Sequence, residues 1–182
     1  LLSGALEDEK VNRSFLKRSL KNTRRLEALV TDLEDISRIE TGELTMNISQ
    51  INILPIIDEL VRDANLRKDN ENIEIKINNT ISDRVFVEAD PDRIHQVFNN
   101  LISNAIRYTD KGQIVMNIES KGDRVHFSVR DTGVGINKDS IQRIFERFYR
   151  TQNARSRIKS GSGLGLSIVK HIIAVSYTHL RA

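Results

Sequence analysis

The sequence predicts a mixed α/β domain behind one long helix, and three observations carry that prediction. From about Glu9 to Glu40 the chain has neither glycine nor proline. Further on, several short stretches alternate apolar and polar residues with period two. Between them, Pro91 to Tyr108 repeats apolar residues at three- and four-residue steps, the spacing of one helix face.

Composition sets the outer bounds. A chain of 182 residues with 38% hydrophobic and 29% charged residues can bury a real core as one domain plus an appendage. A net charge of +3 does not force a nucleic-acid partner. The lack of cysteine excludes disulfides and thiolate metal sites and is compatible with a reducing compartment. No apolar run approaches membrane-spanning length and no signal peptide is visible. The chain starts at Leu1-Leu2-Ser3 without an initiator methionine, so it is expected to be a piece of something longer.

The elements follow in order. Leu1 to Leu6 reads as the end of one helix, and the acidic Glu7-Asp8-Glu9 as the first turn of the next. In that next helix Leu16, Leu20, Leu26, Val30, Leu33, Ile36 and Ile39 recur near heptad spacing. So narrow a stripe on so long a helix calls for partners, as in a hairpin that dimerises into a bundle. Thr41-Gly42 closes it. Leu44 to Ile51 is expected as an edge strand, and Ile53 to about Arg67 as an amphipathic helix. Strands are expected at 73–77, 85–89, 114–118 and 125–129. Their single polar face describes a sheet covered on one side, as antiparallel sheets allow. A short helix is expected over 137–144, a long lid-like loop over 145–163 and an apolar helix over 164–175.

The chemistry starts on the helix from Pro91 to Tyr108. Asp90 is placed to cap it and Pro91 to occupy its first position. Ile94, Val97, Phe98, Leu101, Ile102, Ala105 and Tyr108 make its apolar face, while Asn100, Asn104 and Arg107 form a polar stripe along a flank. Asparagine is a poor helix former, so the stripe serves either a neighbouring loop or a ligand. Asp131-Thr-Gly-Val-Gly135-Ile follows a strand, and its two glycines suit either a plain turn or close approach to a ligand. A carboxylate there would prefer adenine, whose N6 donates, over guanine, whose O6 would face it. Gly161-Ser-Gly-Leu-Gly165-Leu opens into an apolar helix, giving either a hinge or an anion site of free N–H groups. A nucleotide with phosphates at such a lid needs a hard, oxygen-coordinated Mg2+; Asn104 offers it a neutral carbonyl oxygen, and Arg107 could meet phosphate oxygens.

Four motifs in this order resemble those of bacterial sensor histidine kinases. Asn100-Leu-Ile-Ser-Asn104-Ala-Ile-Arg107-Tyr108 is similar to their N box. Asp131 to Ile136 is similar to the first glycine box, Phe145-Glu-Arg-Phe148-Tyr-Arg150 to the F box, and Gly161 to Leu166 to the second glycine box. The likeness runs from about Ala5 to Ala174, and Gly4 to Lys10 most resembles sensors of the phosphate-regulon type. It implies a two-layer Bergerat-type sandwich, a mixed sheet against three helices, preceded by the second helix of a dimerisation hairpin. On that basis Asn104 would ligate Mg2+, and Asn100, Arg107 and Tyr108 would line the phosphate and ribose region. Asp131 would hold the adenine amine in a pocket shaped by Gly133 and Gly135. Phe145 and Phe148 would anchor the lid, Arg150 would reach the γ-phosphate of ATP, and Gly161, Gly163, Leu164 and Gly165 would wrap the phosphates. Arg107 replaces the lysine common at its place, keeping the charge but not the geometry.

The same likeness divides the chain into 1–43 (partial hairpin), 44–174 (ATP-binding catalytic domain) and 175–182, which departs from the family pattern and is expected to be a poorly packed, non-native tail on a sheet short of a strand. The family's phosphoacceptor histidine belongs on the first hairpin helix; His95, His126, His171 and His179 do not match its motif. The partners implied are a second copy through the hairpin and a response-regulator receiver domain, docking near Val11 to Asn22, with no nucleic acid. The parent protein is expected to be anchored in the inner membrane with this part in the cytoplasm. A water-using ATPase of the same superfamily would carry a catalytic acid near Asn104, where Ser103, Ala105 and Asn100 stand instead. A non-catalytic module binding nucleic acid through Arg147, Arg150, Arg155, Arg157 and Lys159 would lack aromatic stacking positions.

Overall fold

The computed structural model of the chain describes residues 9–67, 72–81, 84–122, 124–151 and 161–179. It divides into two compact units, Leu1–Leu44 and Thr45–Ala182. In the first, helix α1 runs Glu9–Glu40, the span its freedom from helix breakers predicts. The N–H groups of Glu43 and Leu44 both bond the Arg38 carbonyl, at 2.9 and 3.1 Å, and end it. Leu16, Leu20, Leu26, Val30 and Leu33 of its apolar stripe are exposed.

The second unit is built round helix α3, Pro91–Tyr108. Asp90, itself buried, accepts the Asp92 and Arg93 N–H groups on Oδ1, at 3.0 and 3.1 Å. Its Oδ2 accepts the Asn47 N–H at 2.8 Å, so one carboxylate caps the helix and also ties down the chain ahead of β1. Val97, Phe98, Ile102 and Ala105 are buried. The three larger ones each contribute about 1.5–3 kcal/mol of apolar burial. The Phe98 ring lies 4.2 Å, centroid to centroid, from Phe127 of the sheet.

Helix α2 (Ile53–Arg67) buries Ile53, Ile57, Leu60 and Ala64, and α5 (Gly165–His179) buries Ile168, Val169 and Ile172; both pack on α3. The short α4 spans Lys138–Ile141. Strands β1 (Ser49–Asn52) and β3 (Phe86–Ala89) pair antiparallel. Strands β2 (Ile73–Asn79), β4 (Gly112–Lys121) and β5 (Arg124–Asp131) form a three-stranded sheet in the order β2-β4-β5. Ile114, Met116 and Ile118 of β4 are fully buried, and β5 packs on α3. This is the mixed sheet under three helices that the family likeness implies.

Several expectations need correction. In the three-stranded sheet the pairing of β2 with β4 is parallel, because the chain between them crosses over through β3 and α3, while β4 and β5 pair antiparallel. One-sided alternation survives in either arrangement, so it could not distinguish them. The edge strand expected from Leu44 begins only at Ser49, since β3 offers four residues to pair with. The helix expected over 137–144 lasts four residues and passes into turns. The last helix continues past Val175 to His179, where a tail was expected; Val175 and Ser176 are half-buried, and Ser176 Oγ bonds the Ile172 carbonyl at 2.8 Å. Of the lid, 152–160 lies outside the described residues.

Candidate functional site

The polar flank of α3 is the line on which the motifs meet. Asn100 and Asn104 are half-buried, and Arg107 is exposed one turn further on. Arg107 Nη1 donates to Asn104 Oδ1 at 3.4 Å, a long bond that leaves the carbonyl oxygen open to a stronger partner.

The glycine motifs reach this line from two sides. A Cβ on Gly133 would strike the Tyr108 carbonyl oxygen, so the first motif lies directly against the C-terminal end of α3. The Val134 N–H bonds that same oxygen at 3.2 Å. Gly133 donates its N–H to Asp131 Oδ1 at 2.9 Å, which orients the exposed carboxylate and leaves its second oxygen free to accept. Gly135 has φ 67° and nothing near its Cβ position.

In the second motif, a Cβ on Gly165 would come within 2.9 Å of Asn100 Oδ1. At Gly161 the Cβ position is 3.8 Å from both Arg107 Nη1 and Arg150 Cζ. Two guanidinium groups brought to one glycine raise the local potential and favour an anion there. Leu164 is buried; its N–H bonds Ser162 Oγ at 3.2 Å, and its carbonyl accepts from Ser167 Oγ at 2.7 Å. These serine bonds fix the entry to α5, and they are foreshadowed only by a serine two residues ahead of an apolar helix.

Of the F-box residues, Phe145 and Phe148 are 40% and 60% exposed. What meets the second motif is the Phe148 backbone, held at φ 60°, with its carbonyl carbon 2.9 Å from the Cβ position of Gly163. Nearby, Arg143 lies 4.3 Å over the Tyr149 ring and pairs with Glu146, which holds its guanidinium above the ordinary range, the hydrogen bond first and the charge second. Burial first, then the positive charge of Arg147, holds the His171 imidazole below its ordinary value.

Thus Asn100, Gly165, Asn104, Arg107, Gly161 and Arg150 are brought together, and Tyr108 joins them to Gly133 and Asp131. Thr132, between the two candidate positions Asp131 and Gly133, bears no weight in a reading from motifs, yet its hydroxyl takes three close backbone contacts. Among the described residues no group of three or more His, Cys, Asp or Glu could hold a metal ion. Asn104 Oδ1, with Arg107 Nη1 bonded to it, is a single neutral oxygen, the kind of ligand that suits a hard metal taking its other ligands from water and phosphate.

Comparison with known proteins agrees with this geometry. Residues 89–181 match the model of the histidine kinase-, DNA gyrase B- and HSP90-like ATPase family. The chain is 35% identical over 175 residues to the sensor-like histidine kinase SenX3 of Mycobacterium tuberculosis, covering 96% of this chain and 42% of that protein. Among solved structures it resembles full-length ShkA in complex with AMPPNP, with a TM-score of 0.74 and 28% identity over 89% of this chain and 33% of that one. It also resembles the Acinetobacter baumannii histidine kinase AdeS, with a TM-score of 0.69 and 26% identity over 95% and 81% of the two chains. The chain spans less than half the length of SenX3. With the family model matched over residues 89–181, the stretch that holds all four motifs, this chain belongs to the histidine kinase-, DNA gyrase B- and HSP90-like ATPases.

Proposed function

We propose that this chain is the ATP-binding catalytic part of a sensor histidine kinase, which moves the γ-phosphoryl of MgATP to a histidine imidazole and thence to an aspartate of a response regulator. The observation that carries the reading is the convergence on α3: Gly165 at Asn100, Gly161 at Arg107 and Arg150, and Gly133 at Tyr108. It is supported by the kinase names of SenX3 and AdeS and by the nucleotide analogue bound in ShkA.

In this reading the Asp131 carboxylate, oriented by the Gly133 N–H, accepts from the adenine amine and rejects a 6-oxo purine. The N–H groups at the start of α5 and the guanidinium groups of Arg107 and Arg150 take the phosphate oxygens. When bound with ATP, Mg2+ supplies charge neutralisation on the phosphates, with Asn104 Oδ1 as its protein ligand. Phosphoryl transfer asks little covalent chemistry of the protein. Positioning and the positive charge of Arg107 and Arg150 do most of the work. The unit Leu1–Leu44 carries the exposed stripe through which a second copy docks, and Val11 to Asn22 is where the response regulator meets it. Among the described residues no helix is long and apolar enough to cross a membrane; the anchor of the parent protein, with this part on the cytoplasmic side, lies elsewhere in this reading.

Titration with a fluorescent ATP analogue, with and without Mg2+, tests the site. Asp131→Asn is expected to weaken binding about tenfold in both conditions, the scale of one charge-assisted hydrogen bond. Asn104→Ala is expected to abolish the gain that Mg2+ gives the parent chain. If both variants bind as the parent does, the nucleotide site is elsewhere.

A further inference from the structure

Asp131 is the last residue of β5 and pairs with Ile114, whose side chain is fully buried. Paired residues share a face of the ladder, so Asp131 is directed to the helix side of the sheet. Thr132 belongs to the opposite face, in the row of Gln113 and Glu74, where these residues line a recess with Lys111 and Gly112.

There the Thr132 hydroxyl accepts the Gln113 N–H at 3.0 Å. It also lies 3.3 and 3.4 Å from the carbonyl oxygens of Lys111 and Gln113, and its one proton goes to either. The Thr132 N–H donates to the Gln113 carbonyl at 3.2 Å, carrying the ladder one pair beyond β5. Gly112 packs so closely that a Cβ on it would fall on the hydroxyl. The Asp131 side chain, by contrast, is exposed, and it accepts the Gly133 N–H just downstream. Its direction therefore depends on how the backbone is held on both sides: upstream by the ladder of β5 on β4, and immediately downstream by Thr132.

We propose that Thr132 is a positioning residue that sets purine selectivity: by clamping the end of β5 to the start of β4 from the outer face, it fixes the direction in which the Asp131 carboxylate meets an exocyclic amine. This rests on the reading of Asp131 as the carboxylate that binds adenine. Hydrogen bonds weaken steeply with misalignment, so a small swing of the strand end costs the amine contact while leaving phosphate contacts on α3 and α5 intact.

Calorimetric titration of the 182-residue chain with ATP and with inosine triphosphate, both with Mg2+, reads this directly. The two nucleotides carry the same phosphates and differ by an amine or an oxygen at C6. Thr132→Val keeps the branched shape and loses the hydroxyl; Thr132→Ser keeps the hydroxyl. The valine variant is expected to weaken ATP about three- to tenfold, one hydrogen bond's worth, and to leave inosine triphosphate within about twofold. The serine variant is expected to keep the parent's ratio. In an Asp131→Asn background, Thr132→Val is expected to change neither affinity. If the valine chain melts well below the parent, Thr132→Ala is judged by the same ratio, which a partly unfolded sample does not alter. Equal loss for both nucleotides, or no loss for ATP, gives Thr132 a merely structural role and overturns the proposal. If Asp131→Asn itself leaves the ratio of the two nucleotides unchanged, the adenine reading fails before Thr132 is at issue.

Discussion

The two glycine motifs look alike in sequence and are held in different ways. The first rests on backbone: Gly133 and Val134 sit on the Tyr108 carbonyl, which belongs to the end of a buried helix and has nowhere to go. The second rests largely on side chains, with Asn100 at Gly165 and two arginines at Gly161, and touches backbone where Gly163 meets Phe148 and Tyr149. The contrast teaches that one motif has a rigid seat and the other an adjustable one; in the function proposed above these would serve the base, which never changes, and the phosphates, which do.

The largest effect is expected where backbone meets backbone without slack. Gly133→Ala would push its methyl group into the Tyr108 carbonyl and leave Asp131 Oδ1 only 2.8 Å away. Either the loop or the end of α3 must shift, at a cost of about 2–4 kcal/mol, in the range of overpacking and strain. Chemical denaturation is expected to register that loss, and ATP-analogue binding to fall below detection. An alanine variant as stable as the parent would mean that the first motif is not seated on α3. Gly163→Ala comes next. Its φ of 74° costs an alanine about 1–2 kcal/mol, and the Phe148 carbonyl carbon at 2.9 Å adds to this. Gly135→Ala is the matching control, with φ 67° and open space, so the excess of the first loss over the second measures the contact with the Phe148–Tyr149 backbone. Equal losses in a denaturation series would show that the contact carries nothing.

How far the sequence reaches follows from where the causes lie. The bounds of α1 and α3 are legible because their determinants are local: a run without helix breakers in one, and Asp90 with Pro91 in the other. Parallel pairing of β2 with β4 is not legible, since the same alternation serves either direction. Four motifs in order single out the candidate residues; how they touch was not readable, because the contacts at Gly165 and Gly133 join residues distant along the chain. Thr132 is the clearest case, for the N–H that its hydroxyl accepts belongs to a residue 19 positions earlier.

The smallest effect on stability falls at Gly165, and it separates seat from ligand most cleanly. Gly165 is the first residue of α5, where alanine is the better helix former by up to about 1 kcal/mol, so Gly165→Ala should melt at or slightly above the parent temperature. Its new methyl group would stand 2.9 Å from Asn100 Oδ1, the far end of a side chain that can turn aside. Turning it displaces an amide from the phosphate region, and ATP-analogue affinity is expected to drop about threefold although the fold is no weaker. In an Asn100→Ala background the same substitution should leave affinity unchanged. A drop that persists without the amide would place the obstruction in the start of α5 itself, and the second motif would then be as unyielding as the first.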